Sequence, residues 1–360
     1  MNIHNKDRPL PATTARHDIK DYSRQDLMDW LSGRDIASYR ADQIMQWIYQ
    51  HQVDSFDLMT NISKPIRLIL KEHFTIRRLA IRETRVSSDK TRKYLFELDD
   101  GHYIESVLIF EEDRATLCVS TQVGCAQGCR FCLTSTKGFI RNLRPGEIIG
   151  QVRDMEKIIG TESRLTNIVL MGMGEPLANY DNVLTALNTI TDGDCGLKYS
   201  TRRVTLSTAG IVPRLAELGR ATRVNLAVSL NATDNETRDR LMPLNKTYPI
   251  ESLLEACAAY PLSKRRKITI EYILIRGVND SEADARRLIR LLRPVRCKIN
   301  LIPFNENPAS KFRRPDDDTI QRFKDMLHDH NYTVMTRLSK GADISAACGQ
   351  LEADIRQYHP

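Results

Sequence analysis

From about residue 115 onward the chain alternates short β-branched runs with helical patterns, and no other feature restricts its fold so strongly. The strand candidates are TLCVST, NIVLM, RRVTLST, RVNLAVSL, KITIEYILI and CKINLIP. Helical patterns fill the gaps at about 145–159, 180–190, 211–219, 235–241 with 250–260, and 280–293. Strands separated by helices pair in parallel, with the helices packed outside the sheet. Six such units are too few for a closed eightfold barrel. The expectation is an α/β fold, a partial (β/α)6 barrel with its chemistry at the C-terminal ends of the strands. A further helix at about 316–329 and a strand at about 332–338 lead into the loop GADISAACGQL.

The chain before the alternation is of another kind. Residues 1 to about 20 read as a polar tail, and about 23–75 as helical. Ser23 with Asp26 matches a capping box ahead of Leu27, Met28, Trp30 and Leu31. Ile44, Trp47 and Ile48 recur at helical spacing, and Ser63 with Pro65 opens another helix. Trp30 and Trp47 are expected in the core of this small domain. KYLFELDDGHYIESVLIF reads as a hairpin around Asp99, Asp100 and Gly101. The predicted organisation is a helical N-terminal accessory domain (1–75), a β-rich extension (76–113), the barrel (114–340) and a C-terminal loop (341–360).

The N-terminus lacks the apolar core of a signal peptide, and no apolar run approaches the ~18 residues of a membrane span. A cytoplasmic protein is expected. There, eight cysteines point to metal or redox chemistry rather than a disulfide framework. The net charge of +7 is clumped at Lys90, Arg92 and Lys93, at Lys264 to Lys267, and in the pairs Arg77–Arg78, Arg202–Arg203 and Arg313–Arg314. Such clumps suit a polyanion such as nucleic acid, and equally a solvated surface.

Three cysteines, Cys125, Cys129 and Cys132, follow the first strand of the alternation as C-x3-C-x2-C. A structural zinc site needs four ligands. No histidine lies between residues 103 and 327, so a fourth zinc ligand would have to be His102, a C-terminal histidine or Cys118. Iron–sulfur clusters take cysteine thiolates, commonly four. Three would leave one iron of a [4Fe–4S] cluster open, as a catalytic centre requires. Polar residues also stand at the strand ends. Gly174 and Glu175 follow NIVLM, Ser207 and Thr208 end the third strand, and Ser229, Leu230 and Asn231 end the fourth. They read as ligand contacts, or as helix caps.

With Phe131 before the last cysteine, the triplet resembles the radical S-adenosylmethionine (SAM) superfamily. RATLCVSTQVGCAQGCRFCLTSTKGFIRNLRPGEIIGQV, MGMGEPLANYDNV, RRVTLSTAGIVPRL, LMPLNKTYPIE, CKINLIPFNENP and DISAACGQL together resemble its RlmN family, most densely over 103–350. The resemblance implies one [4Fe–4S] cluster per chain on Cys125, Cys129 and Cys132, with two SAM molecules used per turnover. It implies SAM contacts at Gly174, Glu175, Ser207, Ser229, Leu230, Asn231 and Asn305. Asn231 departs from the family, where many members have His. The implied activity is methylation of adenosine C2 in 23S ribosomal RNA and in tRNA. Cys348 would carry the methyl group, and Cys118 would release the product by forming a disulfide with Cys348. Glu105 or Cys118 would take the C2 proton. Implied partners are the two RNAs and an electron donor such as flavodoxin or ferredoxin, for a monomer whose N-terminal domain grips RNA. The sister family Cfr methylates C8 instead, and a non-catalytic, zinc-stabilised RNA-binding protein is the rival of another class. Cys195, Cys257 and Cys297 match no motif and are expected to be structural.

Overall fold

The computed structural model describes residues 16–112, 114–160, 162–307, 310–337 and 339–353. Ten strands form one sheet: β1 (Ala80–Val86), β2 (Arg92–Glu97), β3 (Tyr103–Glu111), β4 (Arg114–Cys118), β5 (Leu165–Leu170), β6 (Val204–Thr208), β7 (Asn225–Ser229), β8 (Ile268–Leu274), β9 (Cys297–Pro303) and β10 (Val334–Thr336). They lie side by side in chain order. β1 to β4 form an antiparallel meander, and β4 to β10 run parallel. The six strands expected from the alternation are all present. The terminal stretch adds a seventh, three residues long and paired to β9 through Ile299 and Val334. Besides a single turn at Leu133–Thr136, the helices are α1 (Arg24–Ser32), α2 (Arg40–Tyr49), α3 (Lys64–His73), α4 (Pro145–Ile159), α5 (Tyr180–Thr191), α6 (Val212–Ala221), α7 (Asn235–Leu241), α8 (Ile250–Ala258), α9 (Glu282–Leu291) and α10 (Asp317–Asp329). None is long and apolar enough to cross a membrane among the described residues.

Side-chain alternation divides the sheet into two faces. On β8, Ile268, Ile270, Tyr272 and Leu274 are fully buried in the core. Glu271 and Ile273, between them, line a cavity instead. A carboxylate in the middle of a buried strand is costly unless it meets polar partners, and it does so only on the cavity face.

The N-terminal segment shares its core with the sheet. The tail expected over 1–20 lies up to residue 15 outside the described residues; His17–Asp18 already pairs with Phe74–Thr75. α1 begins with both halves of the capping box, Ser23 and Asp26 each bonding the other's backbone N–H at 3.1 Å. Trp30 and Trp47 are half-buried on the core's edge rather than inside it. Trp30 packs edge-on against Phe74 at 4.7 Å, and the Trp47 indole donates to Asn61 Oδ1 at 2.6 Å. Arg153 of α4 is fully buried and donates to the carbonyls of Ile48 (2.9 Å) and Val53 (2.8 Å) and to Asp54 (2.8 Å). A buried guanidinium is tolerated only while every donor is met, so it ties the helical segment to the barrel.

Part of the clumped charge is spoken for. Arg77 pairs with Asp99, Arg78 with Asp54 and Asp154, Arg92 with Glu162, Lys93 with Glu105, and Arg314 with Asp317. These five cations brace the protein itself, which corrects the reading of their clumps as open phosphate contacts.

Candidate active site

The cysteine loop is held by a two-stranded hairpin, Gln122–Gly124 with Phe139–Asn142. Gly124 sits at φ +73°, and a Cβ there would fall 1.9 Å from the Gly138 carbonyl oxygen. Only glycine closes the throat of this loop. Cys125 N–H donates to Gly138 O at 2.9 Å, and Cys132 N–H to Cys129 O at 3.2 Å. Cys125, Cys129 and Cys132 line a single cavity at the C-terminal ends of the parallel strands. Burial, reinforced by the neighbouring thiols, pushes Cys125 up to about 11 and Cys129 well above its usual range; burial raises Cys132 too. Such thiols ionise only with positive charge among them. Among the described residues no three His, Cys, Asp or Glu groups are gathered to hold a single metal ion. Three soft donors spread around one cavity fit the corners of an iron–sulfur cluster, and among the described residues none of His102, His328, His330 and Cys118 lines this cavity.

Gly174 and Glu175 follow β5. At Gly174 (φ +102°) a Cβ would lie 2.6 Å from Gln122 Cβ and 2.8 Å from Gln122 N. The glycine therefore admits the neighbouring loop, and it also lines the cavity. Gly174→Ala is expected to lose about 1–3 kcal/mol of stability, read as a lowered denaturation midpoint; an unshifted midpoint would show that the loop yields. The buried Glu175 carboxylate accepts from Thr208 Oγ1 (2.7 Å), Ala209 N–H (2.7 Å) and Leu177 N–H (2.9 Å). Burial raises its pKa while these donors pull it back. A carboxylate has about four acceptor sites, so one stays available toward the cavity.

Ser207 Oγ donates to Glu271 Oε2 at 2.7 Å and Ser229 Oγ to the same oxygen at 3.4 Å; all three line the cavity. Asn231 lines it too, in a left-handed conformation (φ 58°) that asparagine tolerates. Its Oδ1 accepts from Ile273 N–H at 2.9 Å. Leu230 differs from expectation. Its side chain is fully buried in the core, its N–H donates to Glu271 O, and its carbonyl accepts from Arg238. Arg238 is itself fully buried and donates to the carbonyls of Ala209 (2.9 Å), Ser229 (3.2 Å) and Leu230 (3.0 Å), so it gathers the loops after β6 and β7. Burial lowers its pKa to about 10, with the Cys129 thiol opposing.

A second cavity lies alongside, lined by Cys118, Asn305, Arg337 and Cys348 among others. Cys348 borders both cavities. Asn305 lines only the second, away from the cysteine triplet; its Nδ2 donates to Cys348 O at 3.0 Å. Burial, then Cys348, pushes the Cys118 thiol up to about 12, with Arg337 opposing. Cys348 is in turn the first cause of the raised Arg337 pKa. All eight cysteines are free thiols.

The loop bearing Cys348 is fastened to the cysteine loop itself. Leu133 N–H, next to Cys132, donates to Gly349 O at 2.7 Å, and Thr134 Oγ1 to Leu351 O at 2.6 Å. On its other side stands a buried ion pair, Lys93 Nζ to Glu105 Oε1 at 3.0 Å, both fully buried. Lys93 also donates to Ser345 O at 3.2 Å, and Glu105 Oε2 accepts from Glu352 N–H at 3.0 Å. Glu105 is absent from the walls of both cavities.

Residues 17–76 match the Ribosomal RNA large subunit methyltransferase N-terminal domain, and residues 119–289 the Radical SAM superfamily. The chain is 67% identical over 349 residues to the dual-specificity RNA methyltransferase RlmN of Desulfosudis oleivorans, spanning 97% of this chain and 94% of that protein. The chain belongs to the RlmN family of radical SAM RNA methyltransferases. RlmN of Geobacter sulfurreducens is 53% identical, over 95% of this chain and 94% of its own length. The crystal structure of a radical SAM methyltransferase from Sphaerobacter thermophilus, 42% identical, matches with a TM-score of 0.87, covering 94% of this chain and 100% of that one.

In this RlmN-family chain the fold brings together most of the residues singled out from sequence. The triplet, Gly174, Glu175, Ser207, Ser229, Asn231 and Cys348 share the first cavity; Cys118 and Asn305 join Cys348 in the second. The side chains of Leu230 and Glu105 reach neither. Sequence reasoning missed Glu271, Arg238, Arg337 and Lys93. Glu271 left one signal, a lone charge inside the apolar run KITIEYILI.

Proposed function

We propose that this RlmN-family chain methylates adenosine C2 in 23S ribosomal RNA at the peptidyl-transferase centre, and in tRNA 3′ of the anticodon, with Cys348 as the methyl carrier. The observation that carries this reading is the place of Cys348 on the wall between two cavities, one bearing the cysteine triplet and the other Cys118. Cys125, Cys129 and Cys132 would hold one [4Fe–4S] cluster, with SAM against Gly174, Glu175, Ser207, Ser229 and Asn231. Bound together, cluster and SAM supply an electrophilic methyl group from one SAM and a carbon-centred radical from a second.

Adenine C2 lies between two ring nitrogens and is electron-poor, so it does not attack an electrophilic methyl group. The carrier removes that obstacle. The Cys348 sulfur would take the methyl group first; its methyl carbon would give one hydrogen atom to the carbon-centred radical and bond to C2, and the adduct would then give up one electron to the cluster and the C2 proton to a base. Cys118, in the same cavity, would then attack the Cys348 sulfur; the disulfide forms as the bond from that sulfur to the methyl carbon breaks, and the released carbon takes up a proton to become the methyl group. The C2 proton must go to a base, and Glu105 and Cys118 remain the candidates. Glu105 meets two donors, Lys93 and Glu352 N–H, which favours its acting on the carrier loop. The RNA would present the base unpaired or flipped, and phosphate contacts would supply affinity. A flavodoxin or ferredoxin as electron donor, a monomeric state and a cytoplasmic location complete the reading.

Anaerobic turnover on ribosomal RNA and tRNA with methyl-labelled SAM tests it. The label is expected at C2 of adenosine. Label at C8 would place the chain with Cfr chemistry, and a colourless protein carrying zinc and transferring no label would sink the reading. Lys93→Met is expected to cut RNA methylation about 100-fold, the scale of a small misplacement of a reacting group, while 5′-deoxyadenosine still forms. Equal loss of both products would show that Lys93 serves folding alone.

A further inference from the structure

The stretches leading into β6, β7, β8 and β9 are residues 196–203, 222–224, 259–267 and 293–296. Together they hold ten lysines and arginines and no carboxylate. Because β4 to β10 run parallel and in order, these stretches meet at one end of the sheet, the N-terminal end. Named bonds join them. Asn225 Nδ2 donates to Arg202 O at 2.9 Å, Arg266 Nη2 to Thr201 Oγ1 at 3.0 Å, and Arg296 Nε to Arg266 O at 2.9 Å. Arg202, Arg203, Arg223, Arg265, Lys267 and Arg296 are all exposed, and among the described residues none is ion-paired to a carboxylate. Five cations of the clumps elsewhere are held in internal ion pairs; here the charge is left facing solvent.

This face is opposite the active site. Ser207 and Ser229 line the cysteine cavity from the far ends of β6 and β7. A five-residue strand is about 17 Å long, and the loops at both ends add to it. An electron donor must approach the cysteine loop, so this face is too far for one. A single RNA arm that inserts its loop into the cavity cannot also touch the opposite end of the sheet. A long, branched RNA can pass round the barrel.

We propose that the N-terminal end of the sheet is a second RNA-binding face, one that takes the phosphate backbone of a long ribosomal RNA substrate at a segment remote from the modified base. It rests on the reading that ribosomal RNA and tRNA are both substrates. The face neutralises phosphates without reading bases, so it adds affinity for the long substrate and none for a short hairpin. Within one enzyme, it lets two RNAs of unlike shape share one cavity.

The test is the variant R202A/R203A/R265A/K267A, which leaves the bracing residues Arg266 and Arg296 in place. Its Kd for a 23S ribosomal RNA fragment of several hundred nucleotides and for an anticodon-arm hairpin is measured by fluorescence anisotropy across a salt series. Each lost phosphate contact removes about 0.7–0.9 from the slope of log K against log salt. The long fragment is expected to bind at least tenfold more weakly, with the slope reduced by about 3. The hairpin's Kd and methylation rate should not move. R202K/R203K/R265K should keep the long-fragment affinity. An unchanged slope on the long fragment overturns the proposal, as does equal weakening on the hairpin. Binding of phosphatidylglycerol vesicles through these residues, with the RNA slope unchanged, also overturns it. The readout is binding alone, so a methyl group found at C8 would sink the proposed reaction and leave this test standing.

Discussion

Cys348→Ala abolishes methyl transfer to RNA, by roughly 10⁴-fold or more, the scale lost with an essential covalent group. The expectation follows from the loop's construction. Its fastenings run through backbone or through neighbouring side chains: Cys348 O to Asn305, Gly349 O to Leu133, Leu351 O to Thr134 and Glu352 N–H to Glu105. None of them uses the Cys348 sulfur. The variant thus keeps its loop and should lose no more than about 1 kcal/mol of stability, as for a side chain outside the core. The cysteine triplet and the Glu175 loop are untouched, so reductive cleavage of SAM persists. Chromatography of 5′-deoxyadenosine beside labelled RNA separates the two activities. If labelled RNA still accumulates at the wild-type rate, Cys348 is not the carrier.

The second large effect is the reverse, a product that cannot leave. Cys118→Ala should leave enzyme and RNA joined through Cys348, visible as a protein band that RNase treatment shifts. The wild-type enzyme adds a pH signature. Burial holds the Cys118 thiol up at about 12, so at neutral pH it is almost entirely protonated. The attacking form is the thiolate. Release of the joined RNA should therefore speed up about tenfold for each pH unit between 7 and 9. A release rate flat across that window, or free turnover by the alanine variant, would remove Cys118 from this step.

How much of this could be read from sequence depended on how local each signal was. Parallel strands buried on both faces spell continuous apolar runs, and six of the seven were legible for that reason. The seventh, expected at about 332–338, is present but shorter, Val334–Thr336, held by its pairing with β9. The cysteine triplet declares itself because its ligands lie within eight residues. Lys93 had no such chance. Its meaning comes from Glu105 and from Ser345, 252 residues away. The same distance effect misled the reading of charge. Arg78 and Arg92 stand in basic clumps, and their carboxylates come from remote segments: Asp154 for Arg78, Glu162 for Arg92. Leu230 failed for a different reason, since at the end of a buried strand the residue after Ser229 turns its side chain to the opposite face.

The bond from Leu133 to Gly349 and the one from Lys93 to Ser345 also order events in time. Lys93, Glu105 and the cysteine loop are made more than 200 residues before residues 345–352. Chains fold from the N-terminus as they emerge. A nascent enzyme can therefore complete nearly its whole sheet while Cys348, the proposed methyl carrier, is still to come. Synthesis must run past residue 352 before a molecule that modifies RNA acquires the means proposed for it.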